Sequence, residues 1–372
     1  MDVISKLQVL SDASQYDLAC ACGTGGSDRR QRGSDGAWLY PVSLPRGGFS
    51  VMLKTLMSNV CVNDCKYCPY RNTIDLPRCT IGPDEMARLF MEYVYQKKVF
   101  GLFLSSGVVK SPDFTMQLLN DTAGILRKKY EYRGHIHLKV IPGASEGAIE
   151  DALRVANAVS LNIETPGKKH CDNLSSRKNF HRDIIRPLQF INEMTSRKPE
   201  FSKIRKTTQF IVGASDETDA EVVRYTAGLY SRLKLNRVYF SAYQRGLGDK
   251  SIPGELRVTK TCEDNFLREH RLYQTDFLLR SYGFNTDDFV FDKQGNLALD
   301  KDPKLVWAMS HMEFFPVNVN RAGLMELLRV PGIGPLTAQR IVERRREAKF
   351  GNTDALPFKG SRLRMAMRFI SL

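Results

Sequence analysis

Val51-Met-Leu-Lys-Thr-Leu-Met-Ser-Asn-Val-Cys-Val-Asn-Asp-Cys-Lys-Tyr-Cys-Pro-Tyr-Arg71 joins an apolar β-type run, residues 51–57, directly to a loop carrying Cys61, Cys65 and Cys68. The spacing lets three thiolates turn onto one centre, and thiolates are soft ligands suited to zinc, copper or iron–sulfur clusters. A closed structural metal site normally takes four protein ligands, so three leave one metal position for something else. The spacing also departs from the paired CxxC motifs of zinc ribbons. An iron–sulfur cluster is therefore the expectation, with a zinc or plain reduced-thiol loop as the alternative.

Outward from this stretch, short apolar runs at residues 51–57, 99–105, 135–141, 158–163, 207–212 and 237–242 alternate with amphipathic stretches. The latter lie near 83–97, 113–130, 146–156, 181–196, 217–234 and 263–282; Leu89, Phe90, Tyr93 and Val94 show the helical spacing in the first of them. Six β-then-α units predict an α/β fold with a parallel sheet and right-handed crossovers, an open partial (βα)6 TIM-type barrel. A doubly wound sheet fits the same pattern. In a barrel, the cysteine loop follows the first strand at the C-terminal face, where such folds build their sites. The expected divisions are a loop-rich N-terminal extension (1–49, with 20–48 read as loop), the barrel (50–309) and a small all-α module (310–372).

The chain has 372 residues, of which 55 are basic and 41 acidic, a net charge of +14 that favours a polyanionic partner. No apolar run approaches membrane-spanning length, and Met-Asp-Val-Ile-Ser-Lys lacks the basic-then-apolar layout of a signal peptide, so no membrane is expected. Eight cysteines in so long a chain do not form a disulfide framework, and a reduced, cytoplasmic setting fits better. A second cluster built from Cys20, Cys22, Cys79, Cys171 or Cys262 finds no support in their spacing. His135 and His137 share a strand face, as a metal pair or as polar barrel lining.

The second motif is Leu327-Leu-Arg-Val-Pro-Gly-Ile-Gly-Pro-Leu-Thr-Ala-Gln-Arg-Ile-Val342. Asn320 is a good N-cap for a first helix carrying Leu324, Leu327 and Leu328, Pro331 to Gly334 form a tight turn, and Pro335 suits the first position of a second helix. This is the helix-hairpin-helix pattern. Gly332 and Gly334 would let backbone N–H groups approach a phosphate, with Arg340 and Arg344 adding charge; such contacts grip the backbone of DNA without reading its sequence. Residues 310–372 hold 11 Lys and Arg against 5 Asp and Glu. A protein-docking hairpin with a solvated basic face is the alternative.

The cysteine loop resembles the radical S-adenosylmethionine (SAM) superfamily, whose signature is CxxxCxxC, often with an aromatic before the last cysteine, as Tyr67 is here. The resemblance implies a [4Fe-4S] cluster on Cys61, Cys65 and Cys68. Its free iron would be chelated by SAM, which is cleaved to methionine and a 5′-deoxyadenosyl radical that abstracts hydrogen from substrate. Further expectations follow the strands. Ser105, Ser106 and Gly107 stand where the superfamily often has a Gly-Gly-Glu that contacts the SAM amino group; with the glutamate missing, backbone carbonyls would serve. Asn162 and Glu164 alternate with apolar residues and would share one face, either to meet a ribose or methionine amine or as an internally satisfied polar layer. Gln209 to Asp216 resembles the adenine-supporting GxIxGxxE pattern, matching outright at Ile211 and Gly213. Lys178, beside Arg177, would pair with the SAM carboxylate or remain solvated charge.

The two motifs together narrow the resemblance. Tyr16-Asp-Leu-Ala-Cys-Ala-Cys22, Arg268-Glu-His-Arg-Leu-Tyr-Gln-Thr-Asp-Phe-Leu-Leu-Arg-Ser-Tyr-Gly-Phe284, Asp302-Pro-Lys-Leu-Val-Trp-Ala308 and Phe314-Phe-Pro-Val-Asn-Val-Asn-Arg321 look like a bacterial family of DNA modification/repair radical SAM proteins. Members occur alongside a uracil-DNA-glycosylase-like protein. The family implies a radical SAM enzyme acting on DNA, served by an electron donor. An RNA-modifying enzyme, or a non-enzymatic iron–sulfur redox sensor that recruits a glycosylase-like partner, are the competing functions.

Overall fold

The computed structural model describes residues 1–14, 31–32, 38–43, 48–256 and 262–372. The chain forms two units, one of residues 1–217 and 228–269 and one of residues 218–227 and 270–372.

In the first unit, α1 (Val3–Ser14), β1 (Gln31–Arg32) and β2 (Trp38–Ser43) precede β3 (Phe49–Leu56). Then α2 (Pro83–Tyr95), β4 (Gly101–Ser105), α3 (Pro112–Lys128), β5 (His135–Lys139), α4 (Glu146–Val155) and β6 (Ala158–Ser160) alternate. They are followed by α5 (Lys168–Leu174), α6 (Arg186–Arg197), β7 (Arg205–Val212), α7 (Asp219–Leu233), β8 (Arg237–Ala242), α8 (Pro253–Leu256) and α9 (Cys262–Ser281), of which α7 and α9 have residues in both units. The sheet runs in order β1 to β8; β3 to β8 are mutually parallel, and β2 joins β3 antiparallel, Leu39 opposite Leu53. This is the expected partial (βα)6 barrel.

The helices form where the pattern places them. In α2, Met86, Leu89, Phe90 and Tyr93 are buried at helical spacing after a Pro at N1. Ser111 and Ser145 cap α3 and α4, accepting from Phe114 N at 3.2 Å and Ala148 N at 3.3 Å. Along β5, Ile136 and Leu138 are buried while His137 and Lys139 line internal cavities, the period of two that a barrel wall needs.

Two expectations are corrected. The stretch read as loop over 20–48 contains β2, whose Trp-Leu-Tyr-Pro-Val-Ser is short and broken by Pro41, so the β signal is faint. The run at 158–163 makes only a three-residue strand. Past Ser160 the chain turns: Ile163 N bonds the Thr208 hydroxyl at 2.9 Å, and Glu164 takes a left-handed φ of 64° while bridging Phe210.

The second unit holds α10 (Pro303–Ser310), β9 (Val317–Asn318), α11 (Leu324–Arg329), α12 (Pro335–Arg344), α13 (Ser361–Ala366) and β10 (Ile370–Ser371), with β9 and β10 pairing in parallel. Its core is aromatic. Trp307 meets Phe284 and Phe314 edge-on at 5.6 and 5.5 Å, and the Arg329 guanidinium lies over Phe284 at 4.0 Å while pairing with Asp288 at 2.8 Å. Among the described residues, no helix is long and apolar enough to cross a membrane.

Candidate functional site

The cysteine loop leaves β3 at its carboxyl end and closes over a cavity of about 220 Å³ inside the half-barrel. Cys61, Cys65, Tyr67 and Cys68 line one side; Ser105, Ser106, Gly107, Asn162, Glu164, Lys178 and Ile211 are among the residues lining the rest. Residues from five separate stretches, expected together on sequence grounds, thus meet around one space. Gly213 does not line it. Its left-handed φ of 93° and an amide bonded to Glu217 Oε1 at 2.6 Å give it a structural task at the end of β7.

Each sulfur environment has a cause. Val108 N donates to Cys61 Sγ and Tyr70 N to Cys68 Sγ, each at 3.4 Å. Burial raises the Cys65 pKa, with Lys178 opposing, and pushes Cys68 up to about 12, with the Cys65 thiolate adding to the rise. Metal binding at such thiols must therefore release protons. Lys178 Nζ bonds the Tyr67 hydroxyl at 3.3 Å. Burial opposes its charge, but Cys65 and Glu164 outweigh that and hold the ammonium protonated. Burial also raises Tyr67 well above the usual phenol range. Asn162 Nδ2 reaches Glu164 Oε2 at 3.5 Å. They meet because the chain turns after β6, not because a strand continues through them.

The donor set fits a cluster. Three soft thiols face one cavity, and N–H bonds to two of the sulfurs are of the kind that tunes cluster potential. Among the described residues, no group of three or more His, Cys, Asp and Glu is arranged to hold a single metal ion. The Ser106 hydroxyl, buried and with no partner among the described residues, is a polar atom at the cavity wall. Gly107 has a packing task as well. A β-carbon there would sit 2.4 Å from Val60 O, so glycine is what lets the β4 loop close against the cysteine loop, where Gly107 N bonds Ser58 O at 2.7 Å.

Several residues that hold the site escaped the sequence reading. The Arg78 guanidinium donates to the carbonyls of Asn59, Tyr70, Arg71 and Ile74, the last three at 2.8, 2.9 and 2.9 Å. Asp64 accepts from the Ser175 hydroxyl at 2.6 Å and from the Ser176 N and Oγ at 3.0 and 2.6 Å. Burial opposes its charge, yet those donors hold its carboxyl at about 2. Arg177 bonds Val62 O at 2.6 Å and so staples the loop; it is not on the cavity wall. In the adenine-like segment the buried carboxylate is Glu217, paired with Arg268 at 3.1 Å, whereas Asp216 pairs outward with Lys169 and His170. A charged residue inside a tight loop was the available signal, but spacing alone does not reveal its partners.

The remaining candidates are dispersed. Cys79 Sγ points to Lys6 O at 3.8 Å and Cys171 is buried in α5; Cys20, Cys22 and the Cys262 side chain lie outside the described residues. His137 bonds Ser160 Oγ at 2.9 Å and meets the Phe103 ring at 4.4 Å with the planes tilted by 51°, as polar barrel lining.

In the second unit, α11 and α12 and the turn between them form the expected hairpin, with one correction to its capping. The first helix starts at Leu324 after Gly323; Asn320 instead ties to Phe350 through both its N and O, at 2.9 and 3.0 Å. A β-carbon on Gly332 would meet Arg362 O at 2.4 Å and one on Gly334 the Tyr282 hydroxyl at 3.2 Å, so the glycines answer to the protein's own packing. Arg345 bonds the Val319 and Ala322 carbonyls at 3.0 and 2.6 Å. Arg340 and Arg344 are exposed.

A family model for the helix-hairpin-helix motif matches residues 314–357. No curated protein matches the chain. Among solved structures, methylornithine synthase (PylB) is 13% identical over 60% of this chain and 62% of its own, with a TM-score of 0.46. HydG, a maturase of the [FeFe]-hydrogenase, is 12% identical over 86% and 80%, with a TM-score of 0.45. SuiB of Streptococcus suis is 14% identical over 62% and 48%, with a TM-score of 0.44. The chain thus spans less than two thirds of the first of these.

Proposed function

We propose that the chain is a radical SAM enzyme that acts on DNA. The observation that carries the reading is the meeting of Cys61, Cys65 and Cys68 at one cavity, at the carboxyl end of a parallel half-barrel. These cysteines would hold a [4Fe-4S] cluster at three corners, leaving the fourth iron for SAM. When bound, the pair would supply reductive cleavage of SAM to a hydrogen-abstracting 5′-deoxyadenosyl radical.

The chain's own residues would do the rest. Lys178, kept charged beside Tyr67, is suited to a carboxylate. Asn162, Glu164 and the Ser106 hydroxyl offer polar contacts, and Ile211 an apolar one. The loop, stapled by Arg78, Asp64 and Arg177, would hold the three thiols in place around the cluster. DNA is favoured by the hairpin motif and the basic excess of the C-terminal residues. A base within a duplex cannot reach a barrel interior, so the substrate is single-stranded or flipped. Modification or repair as the task, a uracil-DNA-glycosylase-like partner, an electron donor and a cytoplasmic setting follow from the family resemblance.

The test is anaerobic reconstitution followed by incubation with SAM, reductant and DNA or RNA. About four irons per chain and 5′-deoxyadenosine release faster with DNA are expected. Cys61→Ala, Cys65→Ala or Cys68→Ala removes both, while Cys171→Ala removes neither. Asn162→Ala and Glu164→Ala weaken SAM binding at full iron content. A full cluster in the triple cysteine variant sinks the reading, and faster release with RNA shifts it to an RNA-modifying enzyme.

A further inference from the structure

The hairpin turn is held from within by a lysine. Lys304, in the first turn of α10, is 6% exposed and sends its Nζ to the Ile333 carbonyl at 2.6 Å, with the ammonium 4.6 Å from the Tyr282 ring centre. Ile333 lies between Gly332 and Gly334, at the centre of the Pro-Gly-Ile-Gly turn, and is itself buried. A peptide unit is planar and trans, so its C=O and N–H point in opposite directions. Drawing the Ile333 carbonyl inward therefore turns the Gly334 N–H outward. Gly334 is the N-cap of the ten-residue α12 and is partly exposed, and none of the described residues accepts from its amide. Its partner on the outside is a position at the positive end of a helix dipole.

We propose that Lys304 is the positioning residue of the hairpin, fixing the Ile333–Gly334 peptide so that the Gly334 amide is aimed at a nucleic-acid phosphate oxygen. The lysine never touches the phosphate. It acts through the carbonyl on the far side of the same peptide, and Pro331 and the Gly332–Arg362 contact hold the preceding residues of the turn. This assigns a task to a buried cation that a motif scan of the hairpin omits, because Lys304 precedes the motif by more than twenty residues. The inference rests on the DNA reading above.

The experiment uses full-length protein and a random-sequence DNA duplex, titrated at several salt concentrations. Lys304→Met keeps the stem's volume and removes the donor. It is expected to weaken binding about tenfold at every salt concentration while leaving the log–log slope nearly unchanged, because an uncharged amide neutralises no phosphate. Arg340→Ala with Arg344→Ala is the parallel control. If that control weakens binding while a folded Lys304→Met keeps wild-type affinity and slope, the positioning role is overturned and the DNA reading stands. If neither variant changes binding, the DNA reading falls and takes the proposal with it. Should Lys304→Met melt early, Lys304→Arg decides: it retains a donor for the carbonyl, so a retained affinity supports the proposal and an about tenfold loss of affinity in a stably folded Lys304→Arg overturns it.

Discussion

The cysteine loop and the hairpin are both short motifs, but they use their characteristic residues in opposite ways. In the cysteine loop the motif side chains face a cavity and are left for a ligand, while residues outside the signature hold the backbone: Arg78 through four carbonyls, Asp64 through Ser175 and Ser176, Arg177 through Val62 O. In the hairpin the motif glycines are absorbed by packing against Arg362 and Tyr282, and what remains available is the backbone itself. A ligand set must be preorganised by a surrounding shell, whereas a backbone donor needs only its peptide plane fixed. Loss of support should therefore damage the two sites to different degrees and in different currencies.

The largest effect is expected at Arg78. Arg78→Met leaves four carbonyls of the cysteine loop to find water or go unpaired, at about 1–3 kcal/mol for each that stays buried. Reconstituted iron should fall by half or more, with no cysteine changed. Arg78→Lys should recover little, because one ammonium on a flexible stem does not span four acceptors as a planar guanidinium does. Iron and sulfide analysis measures this directly. Full iron loading in Arg78→Met would break the contrast, since the loop would then need no outside support.

A smaller effect separates the arginines of the hairpin. Arg345 spends its guanidinium on two carbonyls of its own unit. Arg345→Ala should cost about 1–3 kcal/mol of that unit's stability and barely change the salt dependence of DNA binding. Arg340→Ala or Arg344→Ala should do the reverse, leaving melting alone and flattening the slope by up to about one unit each. Paired melting and binding curves test the division. Equal behaviour of all three would mean that Arg345 is no more structural than its neighbours.

What was legible in sequence follows the same division. The six βα units and the cysteine loop were readable because periodicity and ligand spacing are local properties. The convergence of Asn162 and Glu164 on the cavity was anticipated for the wrong reason, since the strand stops at Ser160 and a left-handed Glu164 makes the turn. The supports were not readable. Asp64 meets Ser175 across 111 positions, Lys304 meets Ile333 across 29, and no pattern encodes such pairs. The role of Asn320 was misread because an Asn before an apolar helix is an N-cap by default, and here tertiary contact with Phe350 overrides the propensity.

The last expected effect is a pH dependence confined to the second unit. Burial lowers Lys304 from its ordinary value of 10.5 to about 7, with Asp302 opposing and Arg329 adding to the fall. Between those two values the unfolded chain carries a proton on this lysine that the folded chain has lost. Stability should therefore rise as pH climbs above about 7, with a slope of at most about 1.4 kcal/mol per pH unit from this one group. Below about 7 both states are protonated, and the contribution is flat. Tyr282, raised by burial, acts in the other direction, because the unfolded phenol ionises first and stability falls once pH passes about 10, so the clean window ends below that. Trp307 is buried in this unit, and Trp38→Phe leaves it as the sole tryptophan of the chain. Urea unfolding followed by its fluorescence should give a rising stability from about pH 7 to 9.5 in that background and a flat one when Lys304→Met is added. An identical rise in both would assign the proton to another group and leave the hairpin's buried cation charged throughout.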